Sequence, residues 1–337
     1  ALIDQVGDRF DDQTYDVDRD AFGEETDVDG NGRIIVLMTP GVNAATSEAD
    51  AERGSLFTGF FFAIDLVFDP TSNPFANDAE IFYTVVPDPN KQFGHAAVPL
   101  NGIAGLLDAV LAHEFEHMIN AGHRIEEFNL ETIWLDEGLA HYAETLNDVE
   151  SAGEVDLQNT LRSALWLQKP YAQSMVAGED NLEQRGASWL LVAYLVDHYG
   201  LDILRDLVVG PFSGIANIEN AADTSFPFLF YRFSAALFLD GQGIASDPWF
   251  DIPSLDVRQR FQTAKQFWAG TSPPWLPGSY LGVRTSTVPG SLSSTGISLA
   301  GATPAYFDVG ASAPGTVPVV VRADRQSNLQ VTIIRTQ

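Results

Sequence analysis

An α+β fold, with a mixed sheet beside a helical lobe, is predicted by the order in which the chain's periodicities occur. Segments rich in Ile, Val, Phe and Tyr come first, over 33–38, 57–68 and 80–86. Apolar residues at spacings of three and four come afterwards, over 101–118, 131–146 and 186–199, and as a helical pair over 215–240. Beyond residue 256 the character shifts. A Pro-rich break at 272–278 precedes a tail rich in Ser, Thr, Gly, Pro and Val, in which 306–309, 318–323 and 329–335 read as short strands. The expected organisation is one large domain over 1–275, its mixed-sheet part about 27–122 and its helical part about 123–270, followed by a small all-β, sandwich-like module over 285–337.

Taken in order, residues 1–26 are acidic and loosely patterned, with one helix expected from Ile3 to Asp11. Asp27-Val-Asp-Gly-Asn-Gly32 then matches the first part of an EF-hand calcium loop, with Asp27, Asp29 and Asn31 at ligand positions. Met38 stands where that loop wants a bidentate Glu, so a calcium ion would need a carboxylate from elsewhere. An Asn-Gly turn leading into a strand is the plainer reading. The apolar run Leu56–Phe68 is broken by Asp65 and reads as a strand. In the first helix, Leu107, Val110, Leu111, Phe115 and Met118 form a core-facing stripe.

Charge and composition narrow the chemistry. The 46 acidic residues against 18 basic give a net charge of −28, which disfavours nucleic acid and anionic membranes, since both need phosphate-neutralising Lys and Arg. With no cysteine among 337 residues, disulfides, a thiol nucleophile and Cys-ligated metal are all excluded. No run approaches the ~18 apolar residues of a membrane span. The chain starts at Ala1 without a charged n-region and apolar h-region, so a leader is expected to be removed or absent.

The chemistry-bearing segment is His113-Glu-Phe-Glu-His117, an H-E-x-x-H motif. Residues i and i+4 lie one above the other on a helix, so both imidazoles can hold one metal ion. A zinc ion with three protein ligands keeps a position for water and lowers that water's pKa to about 7. Glu114 is placed to take the proton, whereas Glu116, on the other side of the helix, reads as solvated. The pattern points to a zinc-dependent peptidase. Two residues compete to be the third ligand. Glu137, in Trp134-Leu-Asp-Glu-Gly-Leu-Ala140, would complete a His2Glu set from a second helix. His123 has the spacing of a metzincin, with Asn120 where that pattern has Gly and Ser174-Met175 as a Met-turn. Glu137 is favoured, because the helix-breaking Gly is missing and His123-Arg124 also suits a helix C-terminus.

Ala112-His-Glu-Phe-Glu-His-Met-Ile119 with Trp134-Leu-Asp-Glu-Gly-Leu-Ala-His-Tyr-Ala-Glu144 resembles the hyicolysin family of bacterial secreted zinc metallopeptidases, which are gluzincins. Weaker similarity runs over about 20–260. The resemblance implies a zincin-like catalytic domain, with His113, His117 and Glu137 as zinc ligands, Glu114 as general base, and protein or peptide substrates outside the cell. Two departures stand out. The usual downstream Tyr or His that steadies the oxyanion has no obvious counterpart; Arg185 is one candidate donor, with Tyr142, Tyr194 and His198 as others. His141 stands where relatives have a carboxylate that orients a metal histidine, leaving Glu144 or Asp136 to supply it. An aminopeptidase would need an upstream amine-anchoring Gly-x-Met-Glu-Asn strand, which is missing, so an endopeptidase is favoured. A binding protein on an inactive scaffold is opposed by the intact Glu114, and a carbohydrate-binding role for the tail by its scarcity of aromatic residues.

Overall fold

The computed structural model describes all residues except 1, 53, 126–128, 148–153, 179, 245–246, 272–273, 276–277, 289–296, 312–319, 324–326 and 336–337. The chain divides into two compact units, Ala1–Asn159 with Tyr199–Ala222, and Thr160–His198 with Asp223–Gln337.

The first unit opens with a helical run twice as long as predicted. Helix α1 (Leu2–Arg9) continues through a π-helical turn (Phe10–Thr14) into α2 (Tyr15–Phe22). Its buried stripe is Val6, Phe10, Thr14, Asp18 and Phe22, one residue in four. The polar Thr14 and Asp18 hide the periodicity in the sequence. Asp18 is tolerated inside because Asn147 donates to it at 2.6 Å, and burial raises its carboxyl well above the ordinary range despite that bond.

Strand β1 (Ile35–Met38) leads to α3 (Pro40–Ala45) and α4 (Glu48–Glu52). Strands β2 (Gly59–Phe61) and β3 (Ile81–Thr84) complete a mixed sheet of order β1-β3-β2. β1 runs parallel to β3 with Ile35 opposite Ile81, and β2 runs antiparallel to it with Phe61 opposite Phe82. The strand expected over 57–68 is only three residues long. Asp65 ends it: the chain turns through a 3₁₀ segment (Ala63–Leu66) so that the buried carboxylate accepts from Asn77 N at 2.7 Å and Tyr83 Oη at 2.7 Å.

Helix α5 (Ile103–Arg124) outruns its predicted end at Met118 by almost two turns and packs against α6 (Ile133–Asn147). Phe115 anchors α5 to the rest of the unit. Its ring stacks on Tyr15 at 5.7 Å and meets Phe10 at 5.3 Å and Phe82 at 6.2 Å, joining both N-terminal helices and the central strand. Gly59 lets β2 approach α5, because a Cβ there would lie 2.8 Å from both Val110 Cγ1 and Tyr83 O. Helices α7 (Glu154–Leu167) and α8 (Leu182–Tyr199) follow. α9 (Asp202–Val209) and α10 (Gly214–Ala221) then complete the first unit.

The second unit contains most of α7 and α8, with α11 (Phe226–Leu239) and α12 (Val257–Ala269). Trp166, Trp189, Tyr194 and Phe233 are fully buried there. α7 and α8 touch at Gly186, where a Cβ would fall 2.3 Å from Ser163 N. Strand β4 (Arg284–Val288), not foreseen in the sequence, pairs in parallel with β5 (Phe307–Ala311). The sandwich expected over 285–337 is represented, among the described residues, by this pair. Residues 320–323 and 327–335 carry no regular structure, and 318–319 lie outside the described residues.

Phe115 is fully buried, so Phe115→Ala is expected to cost about 3–5 kcal/mol. A denaturant titration should show this as a lower midpoint; an unchanged midpoint would remove Phe115 from its anchoring role.

Candidate metal centre

The site is built where α5 and α6 meet, and residues flanking the facing ends of these helices are tied together by a buried ion pair. Arg124, at the end of α5, is buried and pairs with Glu131 at 3.4 Å. Its guanidinium also donates to Phe212 O at 2.7 Å and to Leu207 O, while Glu131 accepts from Asn217 Nδ2 at 2.8 Å and from Gly214 N. The ends of α5 and α6 are thus tied to the carbonyls and amides around α9 and α10, and every charge in the lock has a partner. On α6, Leu135, Leu139, Ala140 and Ala143 face the core, which turns Asp136, Glu137 and Glu144 toward α5.

Between these helices two imidazoles meet edge-on at 87°, with His113 Nε2 and His117 Nε2 only 3.2 Å apart. Glu137 Oε2 is 3.5 Å from His113 Nε2. Each ring's other nitrogen is engaged: His113 Nδ1 meets Glu144 Oε1 at 2.9 Å, and His117 Nδ1 meets Asp136 Oδ2 at 3.0 Å. A carboxylate on Nδ1 holds the proton there and turns the Nε2 lone pair toward a metal. Two such lone pairs at this distance repel unless a cation lies between them. With zinc–ligand bonds of about 2.0–2.1 Å, neighbouring donors of a tetrahedron stand about 3.3 Å apart, which the separations here match. Alternative donor sets of comparable closeness, His113–His141–Glu144 and Glu116–His117–Asp136, would use up the Nδ1 contacts that orient the rings. The residues present therefore fit a zinc ion held by His113, His117 and Glu137.

The surroundings are strongly anionic. Burial opposes charge on His113, but hydrogen bonding to Glu137 and Glu144 outweighs it and raises this imidazole to about 9. Burial likewise opposes charge on His117, and Asp136, with Glu137 and Glu114 behind it, carries its value well above the ordinary one. Metal ligation requires deprotonated imidazole nitrogens, so zinc affinity at this site is expected to fall as pH falls.

Each residue singled out in the sequence has a definite place. Glu114 lies beside the pair and accepts from Phe61 N at 2.7 Å. Glu116 is not solvated: it is 0% exposed and lies under His117, with Nδ1–Oε2 at 3.6 Å. Burial first, and then the Asp136 carboxylate, push its carboxyl well above the usual range. His141 does not replace an orienting carboxylate. Its Nδ1 meets Glu144 Oε1 at 2.8 Å, so Glu144 contacts both imidazoles. His123 is outside the cluster, because α5 runs unbroken through Asn120 and carries His123 to Gly23, where it contacts the Glu24 backbone. Arg185 belongs to the second unit, where Asp180 holds it through Nε at 2.7 Å and Nη2 at 2.6 Å. Asp27 and Asp29 are exposed and lie near Glu80, while Asn31 turns its amide onto Asp29.

Two residues have supporting roles that the sequence does not assign: Asn120, considered there only for the metzincin pattern, and Asn159. Asn120, almost fully buried, donates to Glu116 at 3.2 Å and to Asp136 at 3.0 Å, bracing the carboxylate that orients His117. Asn159 donates to Glu144 Oε2 at 3.2 Å and does the same for the His113 side. Asn120 could have been found from its position one helical turn after Glu116; Asn159 comes from a distant segment and gave no signal.

No family model matches the chain. It is similar to the neutral metalloprotease ShpI of Staphylococcus hyicus, with 30% identity over 142 residues, 41% of this chain. The matched segment spans 29% of that relative's length.

Glu144→Ala and Asp136→Ala should each lower zinc affinity about 10–100-fold, read by competition with a chromophoric chelator, whereas His123→Ala should leave it unchanged. Unaltered affinity in both carboxylate variants would remove their orienting role.

Proposed function

We propose that this chain is a zinc-dependent endopeptidase, secreted by a bacterium, in which His113, His117 and Glu137 hold the metal and Glu114 is the general base. The observation that carries the reading is the convergence of two Nε2 atoms at 3.2 Å, with carboxylates on both Nδ1 atoms and Glu114 alongside. The likeness to a neutral metalloprotease over 41% of the chain supports the same reaction class. A cysteine-free, strongly acidic composition suits an exported enzyme.

Zinc, when bound, supplies a Lewis acid that polarises the scissile carbonyl and acidifies the attacking water. Glu114 Oε2 takes the proton from that water and delivers it to the departing amine, so one carboxylate acts first as base and then as acid. The contact from Phe61 N holds this carboxylate in place until substrate arrives. Glu144 and Asp136 keep the two imidazoles oriented throughout.

Peptide substrates fit the neighbouring strand. β2 is an edge of the sheet and pairs with β3 on one side. The Phe61 N–H is directed away from β3 to Glu114, so the open edge of β2 runs beside the base. An extended peptide added there would lay its backbone next to the metal without needing a free terminus, which favours internal cleavage. No helix among the described residues is long and apolar enough to cross a membrane.

Glu114→Gln is expected to abolish casein hydrolysis while retaining one zinc per chain by metal analysis. Glu137→Gln should lose the zinc itself. Residual turnover in Glu114→Gln at more than about 1% of wild type would overturn its role, since general-base catalysis is worth about 10²–10⁴.

A further inference from the structure

We propose a second cation site, of the calcium class, formed by Asp27, Asp29 and Glu80 at the start of the central sheet. This inference stands apart from the zinc reading and shares no residue with it. The carboxylate that the Asp27–Gly32 loop lacks at its twelfth position, Met38, is supplied from another segment: Glu80 immediately precedes β3, and its carbonyl accepts from Ile35 N at 2.8 Å. One oxygen from each of the three carboxylates lies within 4.8 Å of the others. Oxygens on opposite sides of a calcium ion stand about 4.6–5.2 Å apart, given Ca–O distances of about 2.3–2.6 Å, so the three carboxylates lie within the span of one ion.

Glu80 lifts this above a cluster of surface acids. It is 1% exposed, and its two oxygens have different fates. Oε1 accepts from Thr26 Oγ1 at 2.6 Å and from Val28 N at 3.0 Å. Oε2 is sealed from water and meets no hydrogen-bond donor among the described residues. A buried carboxylate oxygen left in that state is costly, and a bound cation is the simplest partner for it. Three carboxylates with no nitrogen or sulfur donor select a hard ion over zinc.

The ion would pin the loop after α2 to the sheet. That loop also touches the far end of the zinc-bearing helix, where a Cβ on Gly122 would lie 2.9 Å from Thr26 Cγ2, and where His123 Nε2 would be 2.9 Å from a Cβ on Gly23. Occupancy would therefore stabilise the frame of the metal centre without entering its chemistry.

The test is calorimetric titration of Ca²⁺ into zinc-loaded, calcium-free protein. One ion per chain is expected, with binding lost in the Asp27→Asn/Asp29→Asn double variant, whose substitutions are exposed, and weakened at least about tenfold in Glu80→Gln. Glu137→Gln should bind Ca²⁺ as wild type does, which separates this site from the zinc site. Absence of binding to wild type, or binding unaltered by both the double variant and Glu80→Gln, would overturn the proposal.

Discussion

Two imidazole nitrogens held 3.2 Å apart, in a largely buried cluster ringed by carboxylates, form the constraint on which the rest of the first unit depends. His113 Nδ1 is hydrogen-bonded to Glu144 at 2.9 Å, and His117 Nδ1 lies 3.0 Å from Asp136 as an ion-pair contact. Asn120 and Asn159 in turn hold these two carboxylates. Removing an ion from water costs several kcal/mol, and an opposite charge at about 4 Å returns about 4 kcal/mol at an effective dielectric of 20. Glu137, Asp136 and Glu144 supply opposite charge that offsets part of that cost. The same carboxylate environment raises both imidazoles above their ordinary range.

The scaffold around this centre works by keeping two helices in fixed register. Midway along α5, Phe115 is clamped between the N-terminal helices and β3; at its C-terminal end, Arg124 closes a buried network with Glu131, Asn217 and the carbonyls of Leu207 and Phe212. Both anchors lie outside the set of metal donors. A rigid frame of this kind matters because metal affinity and proton transfer both fall steeply when donors are misplaced by about an ångström.

The parts of this arrangement that were legible in the sequence are those with a fixed period. H-E-x-x-H needs only a helix to bring its histidines together, and Trp134–Ala140 shows its own apolar face. The mixed sheet was legible from the β-branched and aromatic content of 33–38 and 80–86. What stayed hidden depends on long-range pairing. The helical run to Phe22 was concealed by Thr14 and Asp18 in its buried face, because Asp18 is tolerable only beside Asn147. Glu116, which periodicity places on the solvent side, is buried because α6 packs over it and brings Asp136 alongside. Asn159 and Glu80 are single polar residues whose roles come from segments distant in sequence.

The central claim is the donor set, and X-ray absorption at the zinc edge of the zinc-loaded protein tests it most directly. The account predicts a first shell of nitrogen and oxygen at about 2.0–2.1 Å, with outer-shell scattering from two imidazoles and no sulfur. Scattering from three imidazoles, or failure of the protein to take up zinc, would contradict it.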